Sequence, residues 1–236
     1  MVFMENQSKK TDQDKTRLSK ARIIETAIQI LDADGEDALT FRALTARLST
    51  GNGAIYWYVA NKTELLAEAA GEVIAQTMAR TPRSTEPKSA LRALALGVFD
   101  TIETHPWVGA QLSRGPWQAA AVQIFERVGE QLQPLGVPPE SQFNCAAALM
   151  NYIFGLAGQY AAVAGLHRPT TNRADFLKDV TTQWMKFDAA AYPFIDRIAA
   201  QMQEHDEREQ FLVGINLFLI GVETVFSPGG SSKLLL

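Results

Sequence analysis

The 236-residue sequence predicts an all-α fold. Three observations carry this. Apolar residues recur at three- and four-residue spacing in one segment after another, as the buried stripe of a helix requires. No stretch alternates apolar and polar residues as a half-buried strand would, and the Asn52-Gly53 pair is not flanked by strand-like runs. Side chains suited to capping helices stand just ahead of several periodic segments: Ser19, Thr40, Asn61 and Asp206.

The elements follow in order. Over 19–33, Ile23, Ala27, Ile30 and Leu31 lie at helical spacing, with Ser19 as N-cap and Gly35 ending the run. Thr40 caps a short helix, FRALTARL, whose Leu44 and Leu48 face inward. Ser49-Thr50-Gly51 is a turn, and a third short helix spans about 52–59. Asn61 and Glu64 form a capping box that opens a long helix to about Arg80. The polar, proline-containing stretch 81–88 separates these helices from the rest. Further helices are expected near 88–104, 116–132, 139–166, 173–187, 190–203 and 206–226, with Asp206 and Glu209 as another capping box. Breaks fall at His105-Pro106, Gly115-Pro116, Pro134 to Pro139, Gly165 to Pro169, and Pro193.

Composition narrows the function classes. Hydrophobic residues are 47% and charged residues 20%, enough for a sizeable core. A net charge of −4 excludes a histone-like binder and a polyanionic tail protein. A single cysteine excludes an internal disulfide framework and a Cys-based zinc finger, and fits the reducing cytoplasm. The polar opening residues do not read as a secretory signal. From Ser141 to His167 there is no Asp, Glu, Lys or Arg, long enough to span a bilayer. Its Asn144, Asn151, Gln159, Gly and Ala content reads instead as a helix buried in a soluble protein or oligomer, so no membrane partner is expected.

Charge is uneven. Residues 1–66 balance to zero and the remainder carries the −4. Basic residues cluster at 9–22, whereas four acids crowd into Asp32–Asp37. A local basic face matters more for nucleic acid than net charge does.

Two short helices joined by a tight turn make a helix-turn-helix. The first braces against the DNA backbone; the second offers its N-terminal residues to the major groove. Here the pattern is more specific. Leu39-Thr40-x-Arg42 leads into the first short helix, Tyr56-Trp57 lies in the next, and Lys62 opens a long helix before Leu65-Leu66. This resembles the helix-turn-helix of the tetracycline-repressor (TetR) family. Close resemblance covers about residues 19–70; the rest matches in layout, all helical and ending in Gly221-Val-Glu-Thr-Val225.

The resemblance implies an N-terminal three-helix DNA-binding domain and a larger C-terminal helical domain for ligand binding and dimerisation. The division is a flexible basic arm at 1–18, a helix-turn-helix domain at 19–66, an effector-binding and dimerisation domain at 67–226, and a loose tail at 227–236. DNA-contacting residues are then Thr40, Arg42, Asn52, Gly53, Ala54, Tyr56, Trp57, Tyr58 and Lys62. Thr40 sits where a helix N-terminus binds phosphate. Arg42 suits phosphate or guanine, and Asn52 suits adenine. The Ala54 methyl suits thymine. Gly53 lets the backbone approach, and the Tyr56 and Tyr58 hydroxyls reach phosphates. Some also have a plainer reading: Trp57 as packing, Lys62 as a solvated lysine, the arm as a tail.

For the C-terminal part the resemblance implies an apolar pocket holding a small apolar or aromatic effector. Candidate lining residues are Phe99, His105, Trp107, Trp117, Asn151, Tyr152, Gln159 and Trp184. A buried amide needs a partner, which singles out Asn151 and Gln159, although these two could instead pair across a dimer. A homodimer interface is expected on the helices at 139–166 and 206–226. Gly155, Gly158 and Ala162 would permit close approach, and Val213, Leu217 and Ile220 would form an apolar stripe. No nucleophile elbow, P-loop or dinucleotide fingerprint is present, and His105, His167, His205 and Cys145 are scattered. Neither an enzyme nor a metal or other cofactor is expected. The reading is a ligand-responsive regulator, foremost a repressor, whose dimer binds a near-palindromic operator and is released by its effector. A helical small-molecule binder that has lost DNA binding, and a regulator controlled by a protein partner, are the alternatives.

Overall fold

The computed structural model describes residues 18–114, 118–166, 173–204 and 206–227; for 160–166, 173, 174, 176 and 203 only the backbone is described. Trp117, His167, His205, the arm up to residue 17 and the tail beyond Ser227 lie outside the described residues, as does the Ala162 side chain.

The described residues form helices and turns with no strand. Helix α1 (Lys20–Asp34) leads through a 3-10 turn (Glu36–Ala38) to α2 (Phe41–Leu48), α3 (Asn52–Tyr56) and the long α4 (Lys62–Arg80). Then come α5 (Pro87–Thr104), α6 (Pro106–Leu112), α7 (Ala119–Leu132) and α8 (Pro139–Leu166). An arm of α9 (Arg173–Trp184), α10 (Pro193–Ile198) and a second 3-10 turn (Ala199–Glu204) precedes α11 (Glu207–Phe226).

The expected caps form. Ser19 Oγ accepts from Arg22 N–H at 3.3 Å, Thr40 Oγ1 from Ala43 N–H at 3.0 Å, Asn61 Oδ1 from Glu64 N–H at 2.9 Å and Asp206 Oδ1 from Glu209 N–H at 2.8 Å. Gly35 closes α1 at φ 79°, where a side chain would be strained.

Some boundaries differ from expectation. In sequence Pro106 reads as a helix stop with no further helix before residue 116. In the structure Pro106 starts α6, where proline at the first helical position loses no hydrogen bond. The expected 190–203 helix divides into α10 and a 3-10 turn. Helix α4 runs from Lys62 to Arg80, as expected, and so passes through position 66.

One core joins the two ends of the chain. Ile23, Ile30, Leu44, Ile55 and Leu66 are buried in the same cluster as Leu91, Ile124, Leu149, Phe211 and Ile215. Helix α4 carries it across, packing alanine-rich turns on its neighbours. Gly71 faces the Ala119 methyl, and Gln123 Nε2 donates to the Gly71 carbonyl at 3.3 Å. Helix α11 lies on α5 and α8. Phe211 stacks between Phe99 (5.1 Å) and Tyr152 (5.5 Å), while Arg92 Nε donates to Asn216 and Lys88 pairs with Glu223.

Among the described residues, the helix long and apolar enough to cross a membrane is α11, not the uncharged 141–167 stretch. Its Val213, Leu217 and Ile220 are more than half exposed in the single chain, whereas Phe211, Ile215, Leu219 and Val222 are buried. One face thus packs on the chain's own core and the other is unpartnered.

Candidate nucleic-acid interface and effector cavity

Helices α2 and α3 present one continuous surface. The turn between them is made by Ser49, whose φ of 51° is left-handed, while Gly51 sits at an ordinary φ of −91°. The left-handed residue of that turn is therefore Ser49 and not the glycine. Ile55 is fully buried and anchors α3 against the core, which turns Asn52 and Gly53 outward. A Cβ at Gly53 would meet nothing within 4 Å, so the helix surface there is open to close approach.

The expected DNA residues fall into two groups. Thr40, Arg42, Asn52, Gly53 and Tyr56 are exposed, Ala54 is half-buried, and Trp57 is 89% exposed, so packing does not account for it. Tyr56 lies against Phe41 at 4.7 Å between centroids. Tyr58 and Lys62 are engaged within the chain. The Tyr58 hydroxyl donates to the Leu18 carbonyl at 3.2 Å, and Lys62 Nζ donates to the Glu36 carbonyl at 2.6 Å. An ammonium has three donors, so Lys62 keeps capacity for another acceptor while bracing the turn after α1.

The C-terminal helices frame a cavity of about 610 Å³ between α6, α7 and α8. Its walls are Leu112, Ser113, Ala121, Phe125, Phe143, Ala147, Met150, Asn151, Phe154 and Gly155, mostly apolar with one hydroxyl and one amide. Phe143, 70% exposed, stands at the rim. An apolar chamber with few convergent polar groups is what a small ligand requires.

Of the expected lining residues, the structure places Asn151 in this wall. The other described ones it places elsewhere. Phe99 and Tyr152 belong to the stack on Phe211, and the Tyr152 hydroxyl donates to the Phe211 carbonyl at 3.1 Å. Burial between α8 and α11 pushes the Tyr152 phenol above its usual range. Trp107 is buried and its indole N–H donates to Asp32 at 2.8 Å; His105 Nδ1 lies 2.7 Å from the same carboxylate oxygen. His105 also borders a separate groove of about 470 Å³ between α4 and α5. Gln159 is exposed, and Trp184 is half-buried on the arm.

Two glycines expected at a dimer face also border α6 or the cavity within the chain. Gly155 lines the cavity, and a Cβ on Gly158 would lie 3.5 Å from Ser113 Oγ. The close approach of α6 to α8 is instead at Gly109, where a Cβ would lie 2.6 Å from the Ala157 carbonyl oxygen. Sequence alone does not single out Phe125, Phe143 and Phe154 among the many aromatics. Their common signal, a position on the α7 or α8 face turned toward α6, exists only once the helices are packed.

Comparison with known proteins agrees with this architecture. Residues 23–69 match the family model described as bacterial regulatory proteins, tetR family, and residues 82–226 match that of the tetracyclin repressor-like C-terminal domain. The chain is 27% identical over 190 residues to the HTH-type transcriptional repressor DrrR1 of Streptomyces coeruleorubidus, covering 79% of this chain and 66% of the relative. It is 37% identical over 60 residues to the class D tetracycline repressor protein of Escherichia coli, 25% of this chain and 28% of that protein. The chain spans just under two thirds of DrrR1. Among solved structures, the transcriptional regulator SCO7222, a TetR from Streptomyces coelicolor, superposes with a TM-score of 0.77 at 45% identity, over 89% of this chain and 100% of that one. ActR from the same organism, solved in complex with actinorhodin, shares the fold at a TM-score of 0.73 and 22% identity, over 90% and 100% of the two chains. Matches at both ends, in the order of the helices described above, show that the chain belongs to the TetR family of bacterial regulatory proteins.

Proposed function

We propose that this chain is a cytoplasmic transcriptional repressor, without catalytic activity, that reads a near-palindromic DNA operator as a homodimer and releases it on binding a small apolar or aromatic effector. The observation that carries the reading is the α2–α3 surface, where Arg42, Asn52, Gly53, Tyr56 and Trp57 stand exposed around a buried Ile55. An aromatic as exposed as Trp57, beside a guanidinium and an amide, fits a partner offering phosphates and base edges.

The roles follow from placement. Thr40, at the start of α2, and Tyr56 contact phosphates. Arg42 and Asn52 reach base edges, with the Ala54 methyl beside them. Gly53 lets the α3 backbone come close and Trp57 packs on the sugar-phosphate wall. Lys62 adds a phosphate contact from the donors its Glu36 bond leaves, and Tyr58 holds the backbone at Leu18, where the chain enters α1. The effector fills the cavity of about 610 Å³, with Asn151 supplying its directional hydrogen bond.

The dimer covers the exposed Val213, Leu217 and Ile220 of α11. A second apolar hollow, of about 290 Å³, lies beside Cys145, Phe218, Val222 and Phe226, on the side where α8 meets α11. Two such helices from each of two chains make a four-helix bundle, and a two-fold axis through it sets two recognition helices facing two half-sites. ActR has been solved with actinorhodin bound, and a second structural relative, BioQ from Mycobacterium smegmatis, with its double-stranded DNA operator. Both kinds of partner fit the two surfaces here.

The test is selection of bound sequences from a random duplex pool at one stated salt concentration. Enrichment of a single near-palindrome is expected. A folded dimer that enriches no sequence overturns the reading.

A further inference from the structure

Cations crowd the approach to α1. From Lys15 to Ile24 the sequence holds Lys15, Arg17, Lys20 and Arg22 and no acid, with Lys9 and Lys10 further out. Lys20 is spent within the chain, on Glu68 at 2.8 Å. The roles given to the α2–α3 surface use none of residues 9–17. Tyr58 fixes where that segment joins the fold. Its hydroxyl donates to the Leu18 carbonyl at 3.2 Å, and it follows directly on Trp57, the 89% exposed ring at the end of α3. The chain before Leu18 therefore sets out from the edge of the surface that meets DNA.

The order of charges in 9–17 is a second, independent observation. On an extended chain, residues two apart share a side. Lys9, Thr11, Gln13, Lys15 and Arg17 then fall on one side, which carries three cations and no acid. Lys10, Asp12, Asp14 and Thr16 fall on the other, which carries both acids. The segment's modest net charge hides this separation. The minor groove, about 6 Å wide, admits an extended chain but not a helix. Nine residues in that form span about 27 Å, most of one turn of duplex.

We propose that residues 9–17 lie in the minor groove beside each half-site, with Lys9, Lys15 and Arg17 turned to its floor and Asp12 and Asp14 turned away, and that they select A·T pairs there. The floor over A·T presents acceptors alone, whereas G·C adds an amino group that stands in the way. A·T runs are also narrower, with a stronger negative potential for cations. The proposal rests on the α2–α3 reading above and extends operator recognition to base pairs that α3 does not reach.

The test uses the full chain and duplexes that share the selected half-sites and differ only in the flanking base pairs. These are A·T, G·C, or inosine·C, which shows the major groove of G·C and the minor groove of A·T. Wild type is expected to bind A·T and inosine·C flanks within about 2-fold of each other and G·C flanks about 10-fold more weakly. In a Lys15→Ala, Arg17→Ala double variant the preference is expected to shrink to within about 2-fold. Its slope of log affinity against log salt is expected to be shallower by about 3–4, the dimer having lost four cations. Gln13→Glu puts an acid on the groove side and is expected to abolish the preference. Thr16→Glu puts the same charge on the other side and is expected to weaken both duplexes while keeping it. Melting curves show that each variant folds. Flanks bound alike by wild type overturn the proposal, as do inosine·C flanks bound as weakly as G·C, which would place the reading in the major groove. A preference that survives the double variant also overturns it, since the preference then belongs to the stiffness of the DNA. So does like behaviour of Gln13→Glu and Thr16→Glu. Each of these leaves the α2–α3 reading standing. A wild-type chain that does not distinguish the selected half-sites from scrambled ones, with flanks held constant, refutes that reading itself, and the proposal falls with it.

Discussion

Gly109 and Gly129 offer a matched pair for testing how tightly α6 is held. Both lie inside helices, so replacing either by alanine gains the same backbone term, about 1 kcal/mol. They differ in surroundings. A Cβ at Gly129 meets nothing within 4 Å, whereas one at Gly109 lies 2.6 Å from the Ala157 carbonyl oxygen and 3.4 Å from Ile102 Cγ2. The obstacle is backbone, so relief requires α6 to move off α8. Overpacking of this kind costs about 1–3 kcal/mol. Gly129→Ala is then expected to stabilise by up to about 1 kcal/mol, and Gly109→Ala to destabilise by about 0–2 kcal/mol. The gap of about 1–3 kcal/mol corresponds to about 2–12 °C in Tm for a chain of this size. Thermal melts of the two variants at one protein concentration measure it, concentration being fixed because a dimer's Tm depends on it. A Gly109→Ala variant melting at or above Gly129→Ala would refute the close α6–α8 packing.

Other outcomes follow from the same structure. Trp57→Ala is expected to leave Tm nearly unchanged, since the side chain is 89% exposed, and to weaken operator binding, read by fluorescence anisotropy. Arg42→Ala is expected to cost about 1–3 kcal/mol of operator affinity, with specificity relaxed at one base pair if the contact is to a base; an equal loss on random DNA marks a phosphate contact instead. Phe211→Ala removes the fully buried ring between Phe99 and Tyr152 and is expected to cost about 3–5 kcal/mol in urea unfolding. Burial pushes the Cys145 thiol above its ordinary range, so reaction with a disulfide reagent at pH 8 should be slow in the native protein and fast after unfolding.

The N-terminal third is legible in sequence because its signals are local. Thr40 and Asn61 are capping residues whose partners lie three positions on, and Ile23, Ala27 and Ile30 in one helix and Leu44 and Leu48 in the next keep helical spacing. Helix α6 is not legible. It is seven residues between two proline-containing breaks, and Pro106 reads as a stop as readily as a start. The cavity escapes in part for a different reason. Phe99, Tyr152 and Phe154 are alike in sequence, yet Phe99 and Tyr152 stack on Phe211 and Phe154 lines the chamber. Which face of α8 meets α6 and which meets α11 is decided by long-range packing. Lys62 shows the same limit, since its bond to the Glu36 carbonyl joins residues 26 apart.

The most direct measurement of the central claim is a stoichiometric titration of the chain on its selected duplex and on a duplex carrying one half-site. Two chains per full duplex are expected, with the half-site bound far more weakly and release of the full duplex by a ligand that also raises the protein's Tm. One chain bound per duplex, with the half-site held as tightly as the full site, would contradict it.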